Sequence, residues 1–317
     1  MNPALAHALR APTQAGACET VAQWWPGWLA NAAANASPMA RAIAGGFAAD
    51  RVAWAFASGY QAALRALLPD LPDAAMAAIC VTEETGNRPR DIATTITHGA
   101  DGGIVISGAK RWTTLGPAST LLLVVGRESG EADRDRPRLR VARVPTDAPG
   151  VSVSYMPATR FVPEVPHARV QFADVRLPAA ALLPGDGYTT CVKPFRTLED
   201  THVTAAVLAY LLREARARGW PAELRERIVA ALTALPAAAE DDANSPLTHI
   251  ALEGALRLAH QIYADAAPLW SAAADAAATR WQRDSALFAV AGTARALRAA
   301  RAWERLVHDT DRERSDP

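Results

Sequence analysis

The sequence predicts an α+β chain: an N-terminal helical region, a middle antiparallel β-barrel or sandwich, and a C-terminal four-helix bundle. Two observations carry this. Ala- and Leu-rich segments with apolar residues at helical spacing occupy both ends, and short β-prone runs punctuated by Gly, Pro and Asp lie between them. No helical pattern separates successive strands, which argues against a doubly wound nucleotide fold. The boundaries fall at 1–79, 80–186 and 187–317.

In the first region, Ser37-Pro38 places a capping hydroxyl before a proline suited to the first helical position. Asp50 opens a second run to residue 68, in which Val52, Phe56, Tyr60, Ala63 and Leu67 form a stripe that must be covered. In the middle region the strands are read at Ile104 and Ile106, at 121–125, at Leu139, Val141 and Val144, at Val151, Val153 and Tyr155, and at Val170 and Phe172. Turns fall at Asp101-Gly102-Gly103, Gly116-Pro117, the polar stretch 131–137 and Pro149-Gly150. The third region gives four apolar faces: Val203, Val207 and Leu211; Leu224, Ile228, Leu232 and Leu235; Leu252, Leu256, Ala259 and Tyr263 after a Ser245-Pro246 cap; and Leu287, Val290, Ala294 and Leu297. Short connections between them read as an antiparallel bundle. The charged tail from His308 is expected to fray.

The bulk numbers exclude several functions. Lys+Arg and Asp+Glu stand at 33 each in 317 residues, so the chain lacks the basic footprint of a nucleic-acid binder. Cys18, Cys80 and Cys191 are far apart and form no CxxC, which fits a reducing compartment. No apolar run reaches the roughly 18 residues of a membrane span, and the first residues lack a secretory pattern. A cytoplasmic protein is expected. The seven histidines lack metal-ligand spacing, so no metal site is read. There is no GxGxxG, HExxH or GxSxG, and in residues 103–110 Ala109 follows Gly108 and breaks the phosphate-loop spacing.

Four segments in order resemble the acyl-CoA dehydrogenase family. Cys80-Val81-Thr82-Glu83-Glu84-Thr85-Gly86 is similar to its TEP stretch, and Ser107-Gly108-Ala109-Lys110-Arg111-Trp112-Thr113-Thr114 to its NGxKxWIT stretch. Phe172-Ala173-Asp174-Val175-Arg176-Leu177-Pro178 and Gly185-Asp186-Gly187-Tyr188 follow in place, so the resemblance covers about 45–310. It implies FAD as cofactor, held at Val81, Thr82, Trp112, Thr113 and Thr114: the Thr82 and Thr114 hydroxyls would bond the flavin ring and Trp112 would pack beside it. A flavin ring needs hydrogen bonds along its polar edge and an apolar plane at its face. Read without the resemblance, the two threonines are ordinary strand residues and Trp112 a core aromatic.

Several positions depart from the family pattern. The family's catalytic Glu precedes a Gly-Thr pair, and here that position holds Ala291, whose methyl group accepts no proton. The QxxGG turn that holds the adenine end is reduced to Gln261 without a glycine pair, and the Arg-x-x-Phe-Gly element to Arg216-Ala217-Arg218-Gly219-Trp220. Glu84-Thr85-Gly86-Asn87-Arg88-Pro89 replaces the usual Pro, Gly and Ser, leaving Arg88 and Arg90 to bind a substrate phosphate by charge or to remain solvated loop residues. The N-terminal helical zone is shorter than is usual. A relocated base is read at Glu199, with His202 a weaker candidate; the alternative for Glu199 and Asp200 is a capping or ion-pairing role at a helix N-terminus.

Three functions stay open on these residues. One is α,β-dehydrogenation of an acyl-CoA or acyl-carrier thioester. The second is a non-catalytic partner subunit of a hetero-oligomer with a related chain. The third is a flavin-dependent monooxygenase of the same fold. A homo-oligomer is the expected assembly if the chain works alone.

Overall fold

The computed structural model describes residues 2–129 and 137–315. The chain divides into two compact units: one of 1–69, 160–162 and 196–317, the other of 70–159 and 163–195. Of the turn read at 131–137, residues 131–136 lie outside the described residues.

The second unit is a seven-stranded sheet. Its strands are β1 (Ala77–Cys80), β2 (Thr95–His98), β3 (Ile104–Thr114), β4 (Leu121–Glu128), β5 (Leu139–Pro145), β6 (Val151–Tyr155) and β7 (His167–Leu177). Every strand read from the sequence is present; β1 and β2 were not read, because four residues are too few to show a period. The pairing departs from a purely antiparallel sheet in one place. Strands β1 and β2 share one edge of β4 end to end, both parallel to it, while β5 runs antiparallel along the other edge. Beyond β2 the order continues β3, β7, β6 with antiparallel pairs throughout. The inward faces of these strands form one core, including Cys80, Ile96, Ile106, Val124, Val144, Val170 and Phe172. Alternation in β7 is plain, with Ala168, Val170 and Phe172 buried between exposed Arg169 and Gln171.

The first unit is helical: α1 (Pro3–Ala8), α2 (Val21–Ala33), α3 (Pro38–Ala48), α4 (Val52–Leu67), α5 (Lys193–Ala217), α6 (Ala222–Glu240), α7 (Pro246–Ala273), α8 (Ala276–Asp284) and α9 (Gly292–Ser315). The Ser37 hydroxyl caps α3 by accepting from the Ala40 N–H at 3.2 Å, and the Ser245 hydroxyl caps α7 by accepting from Leu247. Helices α3 and α4 meet α5 backbone to backbone. A Cβ on Gly46 would stand 2.1 Å from the Ala206 carbonyl oxygen, and one on Gly59 would stand 2.5 Å from Val203 Cα, so only glycine fits there. The stripe read on α4 therefore understates its burial: Trp54, Ser58 and Gln61, off the stripe, are buried too.

Two expectations change in this unit. The last bundle helix is broken: α8 stops at Asp284, residues 285–289 form a 3-10 turn, and Ala291 takes a left-handed conformation (φ 63°) before α9. The charged tail expected to fray continues as helix to Ser315. Among the described residues no helix is long and apolar enough to cross a membrane, and the three cysteines are free.

Candidate active site

In the β unit the site is organised by a bulge in β3. Lys110 pairs with Val170 of β7 and Thr113 with Ala168, so three steps on one strand oppose two on the other. The extra residue is absorbed at Trp112, whose φ is 54°. In an unbroken strand Lys110 and Trp112 would face one side and Arg111 and Thr113 the other. The bulge resets this. Lys110 and Thr113 are both buried, whereas Trp112 is 39% exposed and Thr114 partly exposed. The Thr113 hydroxyl is turned into the core, 3.6 Å from Cys80 Sγ. Of the residues read as cofactor-binding, Thr113 thus has only its main chain for such a contact.

Thr82 is brought beside this bulge by its own carbonyl, which accepts the Arg111 N–H at 2.8 Å. The segment is fixed from below by a buried ion pair. Lys110 Nζ donates to Glu83 Oε1 at 2.6 Å and to the Val81 carbonyl at 3.3 Å, and the Glu83 carboxylate also accepts the N–H groups of Ala93 and Thr94. Burial alone would raise the Glu83 pKa, but the Lys110 charge and these donors overcome it and hold the carboxyl below its usual range. The sequence reading passed over this pair; the Glu of the TEP-like stretch and the Lys of the second stretch were the signals for it.

The hydroxyls of Thr82 and Thr114 take no hydrogen bond among the described residues. Two unspent hydroxyls and a part-exposed indole fit the polar edge and the face of a flavin ring. Beside them, His167 pairs with Thr114 across the strands and meets the Trp112 ring edge-on at 5.9 Å. Burial lowers its pKa, which keeps the imidazole neutral. Glu84 bridges Arg111 and Arg169, the latter at 3.0 Å, on the exposed side. Arg88 and Arg90 are exposed on a short 3-10 turn; Arg90 stands 3.9 Å from Asp91, and the Arg88 N–H donates to Asp91. Their reach to a substrate phosphate is a matter of charge and exposure, without a glycine cradle.

The helical unit holds the candidate base. Glu199 lies in the second turn of α5, partly buried. Burial, with the like charge of Asp200 next to it, raises its pKa to about 7 against the opposing pull of Arg295 and Arg196. Asp200 is held by two arginines of α9, Arg295 at 2.7 Å and Arg298 at 2.8 Å. Arg295 in turn donates its backbone N–H to the Ala291 carbonyl at 3.0 Å. One ion pair and one helical hydrogen bond therefore connect the residue after Glu199 to the position where the family's base is expected. An i, i+3 pair of arginines after Ala291 was the sequence signal for this brace. His202 is set aside. It is buried in the α4–α5 contact, its Nδ1–H donates to the Leu198 carbonyl at 2.7 Å, and burial drives its pKa to about 4.

The sequence of the β unit carries the likeness to a known family. Residues 78–175 match the family model described as the acyl-CoA dehydrogenase middle domain. Over these residues the chain is similar to the acyl-CoA dehydrogenase middle domain. Benzylmalonyl-CoA dehydrogenase of Aromatoleum aromaticum is 37% identical over 90 residues, which is 28% of this chain and only 22% of that protein. The fold agrees across more of the chain. Butyryl-CoA dehydrogenase from Megasphaera elsdenii superposes with a TM-score of 0.67 at 16% identity, over 84% of this chain and 81% of that one. A crystal structure described as an FAD-dependent dehydrogenase gives 0.69 at 15% identity, over 96% of both chains.

In the helical unit this chain has spent some arginines on itself. Arg216 donates to the carbonyls of Ala8 and Ala11 at 2.5 and 2.9 Å, satisfying orphan acceptors at the end of α1. Arg218 pairs with Glu214 and Asp275, both at 2.9 Å. The arginines of the altered Arg-x-x-Phe-Gly element thus act as internal braces in this unit.

Proposed function

We propose that the chain is an FAD-dependent dehydrogenase acting on the α,β-carbons of an acyl-CoA or acyl-carrier thioester. The observation that supports it most is the β3 bulge, which leaves the Thr82 and Thr114 hydroxyls unspent beside an exposed indole. FAD, when bound, supplies the hydride acceptor. The Thr82 and Thr114 hydroxyls would hydrogen-bond the ring's polar edge, and Trp112 would cover it from water. Glu199 takes the proton from the substrate α-carbon; a carboxyl with a pKa near 7 is suited to that transfer at neutral pH. Arg88 and Arg90 attract the substrate's phosphates.

An absorption spectrum of the purified protein, before and after reconstitution with FAD, tests this reading. Flavin bands are expected, and they should bleach on anaerobic addition of an acyl-CoA that the enzyme accepts. A chain that takes up no FAD is not this enzyme, and the reading as a partner subunit then stands. A flavin that stays oxidised with every thioester but supports oxygen consumption once reduced points to a monooxygenase instead. Assembly is read from α9, where Leu297, Trp303 and Val307 are each more than half exposed. We place a second copy of the chain or a related subunit there. Trp303→Glu is expected to lower the molar mass measured by light scattering, and an unchanged mass would move the interface elsewhere.

A further inference from the structure

The dehydrogenase reading leaves one contact of the bulge unused. The Trp112 N–H, displaced from the strand ladder, is accepted by the thioether sulfur of Met156 at 3.2 Å. Met156 is itself fixed, because its own N–H donates to the His167 carbonyl at 2.9 Å, and His167 is the residue whose ring meets the Trp112 indole. Trp112, Met156 and His167 therefore form a closed local group. Its least secure member is Trp112, a non-glycine residue at φ 54°, a conformation that persists only where surrounding contacts hold it. A thioether is a weak acceptor, so the grip of this contact is slight and chemically alterable.

We propose that Met156 is a reversible oxidation site through which a hydroperoxide controls the seating of the Trp112 indole. The sulfur lone pair attacks the nearer peroxide oxygen. An S–O bond forms, the O–O bond breaks, and the departing hydroxide takes the proton of the attacked oxygen, leaving the sulfoxide and water. Sulfur is oxidised by two electrons and the peroxide is reduced by two. The sulfoxide oxygen is a stronger acceptor than sulfur and stands one bond farther out, so the Trp112 amide cannot keep both its present position and its present partner. Position favours Met156 over the other described methionines: Met39 and Met76 are 6% and 4% exposed, whereas Met156 is partly exposed at the end of β6. The inference rests on the proposed function only for the source of peroxide, since a reduced flavin meeting dioxygen releases it.

The test treats the intact protein with dilute hydrogen peroxide in the absence of substrate. Peptide mass spectrometry should find one oxygen added to Met156 roughly ten times faster than to Met39 or Met76. With 15N-tryptophan labelling, the backbone amide resonance of Trp112, assigned by its loss in Trp112→Phe, should shift during oxidation. Methionine sulfoxide reductase should return it. In Met156→Leu no peroxide-dependent shift should occur. Equal oxidation of the three methionines, or an unmoved Trp112 resonance once Met156 is fully oxidised, overturns the proposal. None of these readouts needs bound flavin, so a chain that never takes up FAD still decides it.

Discussion

Lys110→Met is expected to lower the free energy of unfolding by about 3–5 kcal/mol at pH 7, the usual cost of removing one partner from a buried ion pair. The Lys110 side chain is 0% exposed and that of Glu83 is 7% exposed, so water cannot take over the abandoned charge. The Ala93 and Thr94 amides would still bind the carboxylate, which sets the expectation nearer the lower figure. A double variant, Glu83→Gln with Lys110→Met, should recover much of the loss because no buried charge is left unpaired. The pH dependence has a definite sign. Glu83 titrates below its ordinary value of 4.5 in the folded chain, so its contribution is present above that pH and is lost as pH falls through the folded pKa. The gap between the original chain and Lys110→Met should therefore narrow in acid. Urea unfolding at pH 7 and pH 4 measures both statements. A single variant that unfolds at the original midpoint would show that the pair does not clamp the Thr82 segment.

Much of this architecture was legible because it rests on local patterns. Ser37 and Ser245 announced α3 and α7 by hydroxyl and proline together, and β7 announced itself by alternation. The two short strands were not legible, since β1 is defined by its pairing with β4, a partner more than forty residues away. The bulge was hidden for a related reason. Nothing in Lys110-Arg111-Trp112-Thr113-Thr114 marks a shift of register; it follows from what β7 places opposite, and it decides which threonine hydroxyl faces out. The resemblance grouped Thr113 with Thr82 and Thr114, and it did not show that Thr113 turns inward to Cys80. The break at 285–291 was likewise read as continuous helix. Leu287, Val290, Ala294 and Leu297 fit a helical period, yet Val290 and Leu297 are exposed, so no core enforces that period through the break. Glu199 was found by its place in the sequence, whereas its raised pKa depends on burial and on Asp200 being held at one side.

Glu199→Gln is expected to slow thioester-dependent bleaching of the reconstituted protein by about 10²- to 10⁴-fold, the range a positioned general base contributes. Glutamine keeps the shape and removes the proton acceptor. The rate of the original protein should climb as pH rises through about 7, because Glu199 must lose its proton before it can accept the substrate's. Linkage gives a control on stability. The raised pKa means the folded chain holds this proton more tightly than the unfolded one, so stability attributable to Glu199 is present in acid and is lost as pH rises through about 7. Glu199→Gln should accordingly be no less stable than the original at pH 8, and a slow variant cannot be dismissed as an unfolded one. Ala291→Glu in the Glu199→Gln background then asks whether the vacated position still works. Ala291 already adopts the left-handed backbone, at a cost that glutamate would share. Partial return of bleaching, without the rise at pH 7, is the expected result. Bleaching at the original rate in Glu199→Gln alone would remove Glu199 from the chemistry and leave the proton acceptor to be sought elsewhere in the chain.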